Sequence, residues 1–134
     1  MTAEEKYQYW LEHARYDMKA AMAMLDSGMW AYAVFMCLQS IEKLVKGVYG
    51  LFVDADNIPR VHNISRLVRE FEGKLQDPVD DEYYDLFEIL SGYYLNNRYP
   101  DFCTHPVEYV LESDARELCM RAEEVFAWLL TLRP

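Results

Sequence analysis

Apolar residues recur along most of this chain at alternating steps of three and four, the repeat of one face of an α-helix. Over residues 2–26 that face is Tyr7, Leu11, Ala14, Met18, Ala21 and Leu25, and Ser27-Gly28 closes the segment. Residues 29–52 carry a wider stripe, Trp30, Ala33, Val34, Cys37, Leu38, Ile41, Leu44, Val45, Val48 and Phe52, which predicts the central core helix. So short a turn joins the two that they are expected to pack as an antiparallel pair. Residues 53–60, with Asp54, Asp56, Asn57 and Pro59, have the composition of a loop. Asn63 is placed to cap a third helix with Ile64, Leu67, Val68, Phe71 and Leu75 on its face, until Gln76-Asp77-Pro78 interrupts it. Tyr83, Leu86, Phe87, Leu90, Tyr93 and Tyr94 predict a fourth helix over residues 79–97, and Pro100 disfavours helical geometry at Tyr99, so it should stop close to Arg98. A fifth is read from Ser113 as cap through Ala115, Leu118, Cys119, Ala122, Val125, Phe126 and Leu129. The aperiodic stretch of about fifteen residues before it is longer than most connections in a compact bundle. With no β-alternation and no internal repeat, the expected class is all-α, an up-and-down bundle of about five helices in a single domain over residues 1–134.

Composition narrows what such a bundle can do. The 134 residues are 52% hydrophobic, enough for a real core, and the formal net charge is −10. That charge works against tight, sequence-independent binding of a long nucleic-acid backbone, so any RNA contact is expected to be local. It is compatible with a basic protein partner, although solubility also explains it. Cys37, Cys103 and Cys119 are odd in number, widely spaced and without a CxxC pair, which indicates neither a disulfide framework nor a zinc site. A reducing cytoplasm is the expected setting, with no export signal and no membrane span.

The aperiodic stretch holds the candidate chemistry. In Asn97-Arg98-Tyr99-Pro100-Asp101-Phe102-Cys103-Thr104-His105-Pro106, a guanidinium suited to phosphate and an imidazole suited to proton transfer stand with six residues between them. Attack of an RNA 2′-hydroxyl on the adjacent phosphate requires proton removal, proton delivery and stabilisation of a charged phosphorane, and in principle no metal. One copy supplies part of that list; a dimer that brings two copies together across its axis supplies two of each. The alternative is structural, with Arg98 pairing with Asp101 or with carbonyls at the helix end, and His105 a polar loop residue before Pro106. On the second helix, Tyr32, Phe35, Gln39, Glu42, Lys43 and Lys46 form a further row, either a surface strip whose lysine stems cover apolar neighbours or one wall of a groove facing Arg98. His62 is read as a structural residue hydrogen-bonding near the start of the third helix. Trp10, Asp17, Trp30 and Trp128 are read as packing and capping residues. His13, His62 and His105 lack the spacing of a metal site, and the five scattered glycines form no phosphate loop, so no cofactor is expected.

Several segments resemble a known family. Trp10-Leu11-Glu12-His13-Ala14-Arg15-Tyr16-Asp17, Gly28-Met29-Trp30-Ala31-Tyr32-Ala33 and Gln39-Ser40-Ile41-Glu42-Lys43-Leu44-Val45-Lys46 look like the first two helices of HEPN domains. His62-Asn63-Ile64 resembles the entry to their third helix, and Asn97-Arg98-Tyr99-Pro100-Asp101 the Arg-Tyr-Pro segment after the fourth. The resemblance implies a helical bundle that forms a homodimer with a cleft between chains. It also implies a metal-independent endoribonuclease, often the toxin of a toxin–antitoxin pair neutralised by a nucleotidyltransferase-type antitoxin, with Arg98 and His105 as the catalytic pair and Glu42, Lys46 and Tyr99 lining the cleft. The alternative it carries is a non-catalytic subunit that binds a nucleotide or docks a nucleotidyltransferase. Pro100 and Pro106 put His105 in loop, and Val107 stands where antitoxin-modified relatives have a tyrosine.

Overall fold

The computed structural model describes the backbone of residues 1–98 and 110–134, and the side chains of residues 1–93 and 110–134. Among these described residues five α-helices form an all-α bundle: α1 (Ala3–Asp26), α2 (Trp30–Tyr49), α3 (Ile64–Glu72), α4 (Asp81–Arg98) and α5 (Glu112–Leu130). Among the described residues there is no strand, and no helix is long and apolar enough to cross a membrane.

Helix α1 begins at a capping box in which the Thr2 hydroxyl accepts the Glu5 N–H at 3.1 Å while the Glu5 carboxylate accepts the Thr2 N–H. It ends at Gly28, whose φ of 76° lets the chain reverse, and the Met29 N–H closes the turn on the Met24 carbonyl at 2.8 Å. The reversal lays α2 antiparallel to α1, as expected from the short turn. A Cβ on Gly47 would lie 3.0 Å from Trp10 Cβ and 3.3 Å from Tyr7 Cδ2, so the missing side chain sets how closely the helices approach. Helix α2 is the hub against which all the others pack. Ala33, Val34, Cys37, Ile41, Leu44, Val45 and Val48 are completely buried on it, which is why its apolar stripe is so wide.

Three boundaries differ from the sequence expectation. The second helix does not give way to loop after Phe52; past Tyr49 it widens into a π-turn over Gly50–Asp54, where Phe52 stacks on Phe71 with centroids 5.9 Å apart. Helix α3 is capped by Asn63, whose side chain accepts the Arg66 N–H, but it stops at Glu72 rather than reaching Gln76, because Gly73 follows and single turns carry the chain past Leu75. Helix α5 is not capped by Ser113: the cap position is Leu111, which gives no side-chain bond, and Ser113 lies inside the first turn.

Helix α4 starts where Asp80 accepts the Glu82 N–H. Near that start Tyr83 packs against Trp128, close to the end of α5, with centroids 4.9 Å apart. Near the start of α5, Arg116 lies over the Trp30 ring that opens α2. Hence α5 runs parallel to α2 and α4 antiparallel to both, which carries Arg98 toward the end of the bundle where α2 begins. The packing also joins two cysteines that their spacing kept apart. Cys37 on α2 and Cys119 on α5 are free thiols with sulfurs 3.4 Å apart in the core.

Candidate functional site

Charge is concentrated at the middle of the most apolar helix. Glu42 is buried, with only 4% of its surface exposed, so the surface-strip reading of its row fails there, while Tyr32 at the other end is 44% exposed. One helical turn on, Lys46 donates to the Glu42 carboxylate at 3.3 Å. From the segment before α3, His62 brings Nδ1 to 3.0 Å and 3.2 Å from the two Glu42 oxygens. A carboxylate taken out of water on an apolar helix is tolerable only with such partners, because its unpaired charge would cost several kcal/mol, on the order of 3–5 when a buried pair loses one member.

The geometry also orients the imidazole. With Nδ1–H donated to Glu42, Nε2 becomes the basic nitrogen of the His62 ring, whose side chain is 55% exposed. A carboxylate that fixes the tautomer and direction of a histidine is a recurring arrangement for proton transfer. His62 was expected to hydrogen-bond near the start of α3; Asn63 makes the cap there, and His62, just before it, reaches back to Glu42 on α2.

A second ionic contact lies where α1 meets α2. Asp17, expected to be a packing or capping residue, is buried and accepts from Lys43 Nζ at 2.5 Å. Beside it the buried Ser40 hydroxyl donates to the Ala14 carbonyl at 2.6 Å. Glu42, Lys46 and His62 thus lie toward the segment that enters α3, and Asp17 and Lys43 toward α1, forming one ionisable band around the middle of α2.

Trp10, Trp30 and Trp128 are packing residues, as read from the sequence; all three are partly buried, and Trp30 and Trp128 pack against the hydrophobic core. Among the described residues no group of three His, Cys, Asp or Glu side chains is arranged to hold a metal ion. The structure therefore brings together Glu42 and Lys46, both singled out from sequence, and adds His62 and Asp17. It carries the Arg98 backbone at the carboxyl end of α4. The side chain of Arg98, and Tyr99 and His105 altogether, lie outside the described residues.

No protein of curated function matches the chain. Among solved structures, ST0689, an archaeal HEPN homologue, is similar with a TM-score of 0.71 and 28% identity, over 93% of this chain and 95% of that one. TT1696 from Thermus thermophilus shares the fold with a TM-score of 0.78 and 24% identity, over 94% of this chain and 97% of that one. The family model of the HEPN domain matches residues 7–132, nearly the whole sequence, and the chain belongs to the HEPN-domain family.

Proposed function

We propose that this HEPN protein is a metal-independent endoribonuclease acting as a homodimer, of the kind that serves as the toxin in a toxin–antitoxin pair. In this reading Arg98 binds the scissile phosphate and its developing charge, and His105 transfers the proton. The RNA 2′-hydroxyl attacks phosphorus, the P–O5′ bond breaks, and the products are a 2′,3′-cyclic phosphate and a 5′-hydroxyl. Glu42 and Lys46, with Tyr99, line the cleft.

The observation that carries this reading is the Glu42–Lys46–His62 cluster. A buried carboxylate that orients an imidazole has no packing advantage over apolar residues of similar size, so a role in the site accounts for it better than stability does. The test is cleavage of single-stranded RNA in the presence of EDTA. Arg98→Ala is expected to lower the rate by about 10²–10³-fold and His105→Ala by about 10²–10⁴-fold. Unchanged cleavage in both variants would refute the site assignment.

A second reading is favoured by a separate observation. Between α4 and α5, Glu82, Asp85, Glu117 and Glu124 surround Arg121 in a groove, on a chain whose net charge is −10. Such a surface suits a basic partner, so in this reading the chain is a non-catalytic subunit that docks a nucleotidyltransferase through a basic face of that protein. Copurification with the product of an adjacent gene, weakened by Glu117→Lys and Glu124→Lys, together with no RNA cleavage, would establish this reading over the first.

A further inference from the structure

Cys37 and Cys119 are far apart in sequence but touch in the core. Their sulfurs are 3.4 Å apart, and the residues are 0% and 1% exposed on α2 and α5. A disulfide sulfur pair is bonded at about 2.05 Å, so roughly 1.4 Å of approach separates this contact from a covalent bond. The contact also distinguishes the two thiols. Cys37 S–H donates to the Cys119 sulfur, which favours the Cys119 thiolate, whereas that same bond and burial keep the Cys37 proton in place. Burial and then Glu123 oppose the Cys119 thiolate, Arg116 favours it, and the bond from Cys37 is the largest influence of the four.

We infer that Cys37 and Cys119 are a redox modification site, oxidised by a small-molecule disulfide such as glutathione disulfide to an intramolecular bond that staples α2 to α5. The Cys119 thiolate attacks glutathione disulfide, forming a mixed disulfide and releasing one glutathione thiolate. Cys37 then loses its proton and attacks the Cys119 sulfur, releasing the second glutathione. Two protein thiols lose two hydrogens and two electrons, and one glutathione disulfide becomes two glutathiones. Burial makes the first step wait for a local opening of α5, and the same burial shields the finished bond from reductant. The closed loop contains α3, α4 and the segment with Arg98 and His105, so the staple restrains the unfolded chain over much of its length.

The full-length Cys103→Ser variant leaves this pair as its only thiols. After incubation with glutathione disulfide under native conditions, the expected product is a single uncrosslinked chain lighter by two hydrogens. Each chain, free of intermolecular crosslinks on a non-reducing denaturing gel, should have no alkylatable thiol, and the protein a melting temperature raised on the order of 10 °C that dithiothreitol reverses. A persistent glutathione adduct, disulfide-linked dimers, or oxidation only in denaturant would overturn the inference. An unchanged melting temperature would contradict the staple. The Cys37→Ser, Cys103→Ser double variant should stop at the mixed disulfide. The outcome does not depend on whether the protein cleaves RNA.

Discussion

Glu42 shows why single residues are hard to place from sequence. With Lys46 four positions on, it has the spacing of a solvent-exposed helical ion pair, yet it is the partner of His62, twenty positions away, that makes its burial tolerable. The sequence did mark Glu42 and Lys46, as ionisable residues in a row beside an apolar stripe. It named Asp17 and Lys43 separately but could not pair them, because they lie on different helices, twenty-six positions apart. Replacing Glu42 with Ala leaves Lys46 half-buried without its anion and should destabilise the protein by about 2–3 kcal/mol, read from the denaturant midpoint. Glu112→Ala, which removes an exposed pair with Arg116, should cost no more than about 0.5 kcal/mol. Equal effects would mean that the Glu42 cluster is a surface feature.

Tyr84 offers a pH test on the same scale. Burial, and then its hydrogen bond to Glu72 at 2.9 Å and the charge of that carboxylate, push its hydroxyl up to about 12. Its folded value is therefore above the unfolded value of about 10. The neutral form favours folding, so this contribution is complete below about pH 10 and is lost as pH rises toward about 12. Tyr84→Phe should show a smaller fall in melting temperature over that window than the parent. An identical fall would remove Tyr84 as a cause.

Among the elements, periodicity located all five described helices, because each buries an apolar face along its described side chains. The ends followed different physics. Helix α3 stopped early at Gly73, a poor helix former next to a still-apolar Leu75, and α2 continued past Tyr49 as a π-turn because Phe52 stacks on Phe71. The close approach of α1 and α2 at Gly47 is a packing fact that a lone glycine in an apolar run does not reveal. Alanine there gains helix propensity but meets Trp10 Cβ at 3.0 Å, and the clash should win, destabilising by about 1–3 kcal/mol. Gly92 in α4 faces open space among the described residues, so Gly92→Ala should stabilise by about 0.5–1 kcal/mol. Thermal melts of the two variants should move in opposite directions, and shifts of the same sign would contradict the account of the α1–α2 contact.

For the whole molecule, the fold was legible because a five-helix pattern and several short motifs agree along nearly the full chain, and the family match over residues 7–132 bears this out. The site was legible only in part. Arg98 and His105 are chemical candidates by residue type, and residue type does not fix how two side chains face one another. The net charge of −10 adds a constraint at this scale: under the proposed function RNA approaches against that charge, so cleavage should fall less steeply with added salt than it does for a basic nuclease. The end-group chemistry of the RNA products tests the central claim most directly. The protein in EDTA should convert a single-stranded RNA to 2′,3′-cyclic phosphate and 5′-hydroxyl ends, spare the same strand carrying 2′-deoxyriboses, and lose this activity on Arg98→Ala. No cleavage, or products with 5′-phosphate ends, would contradict it.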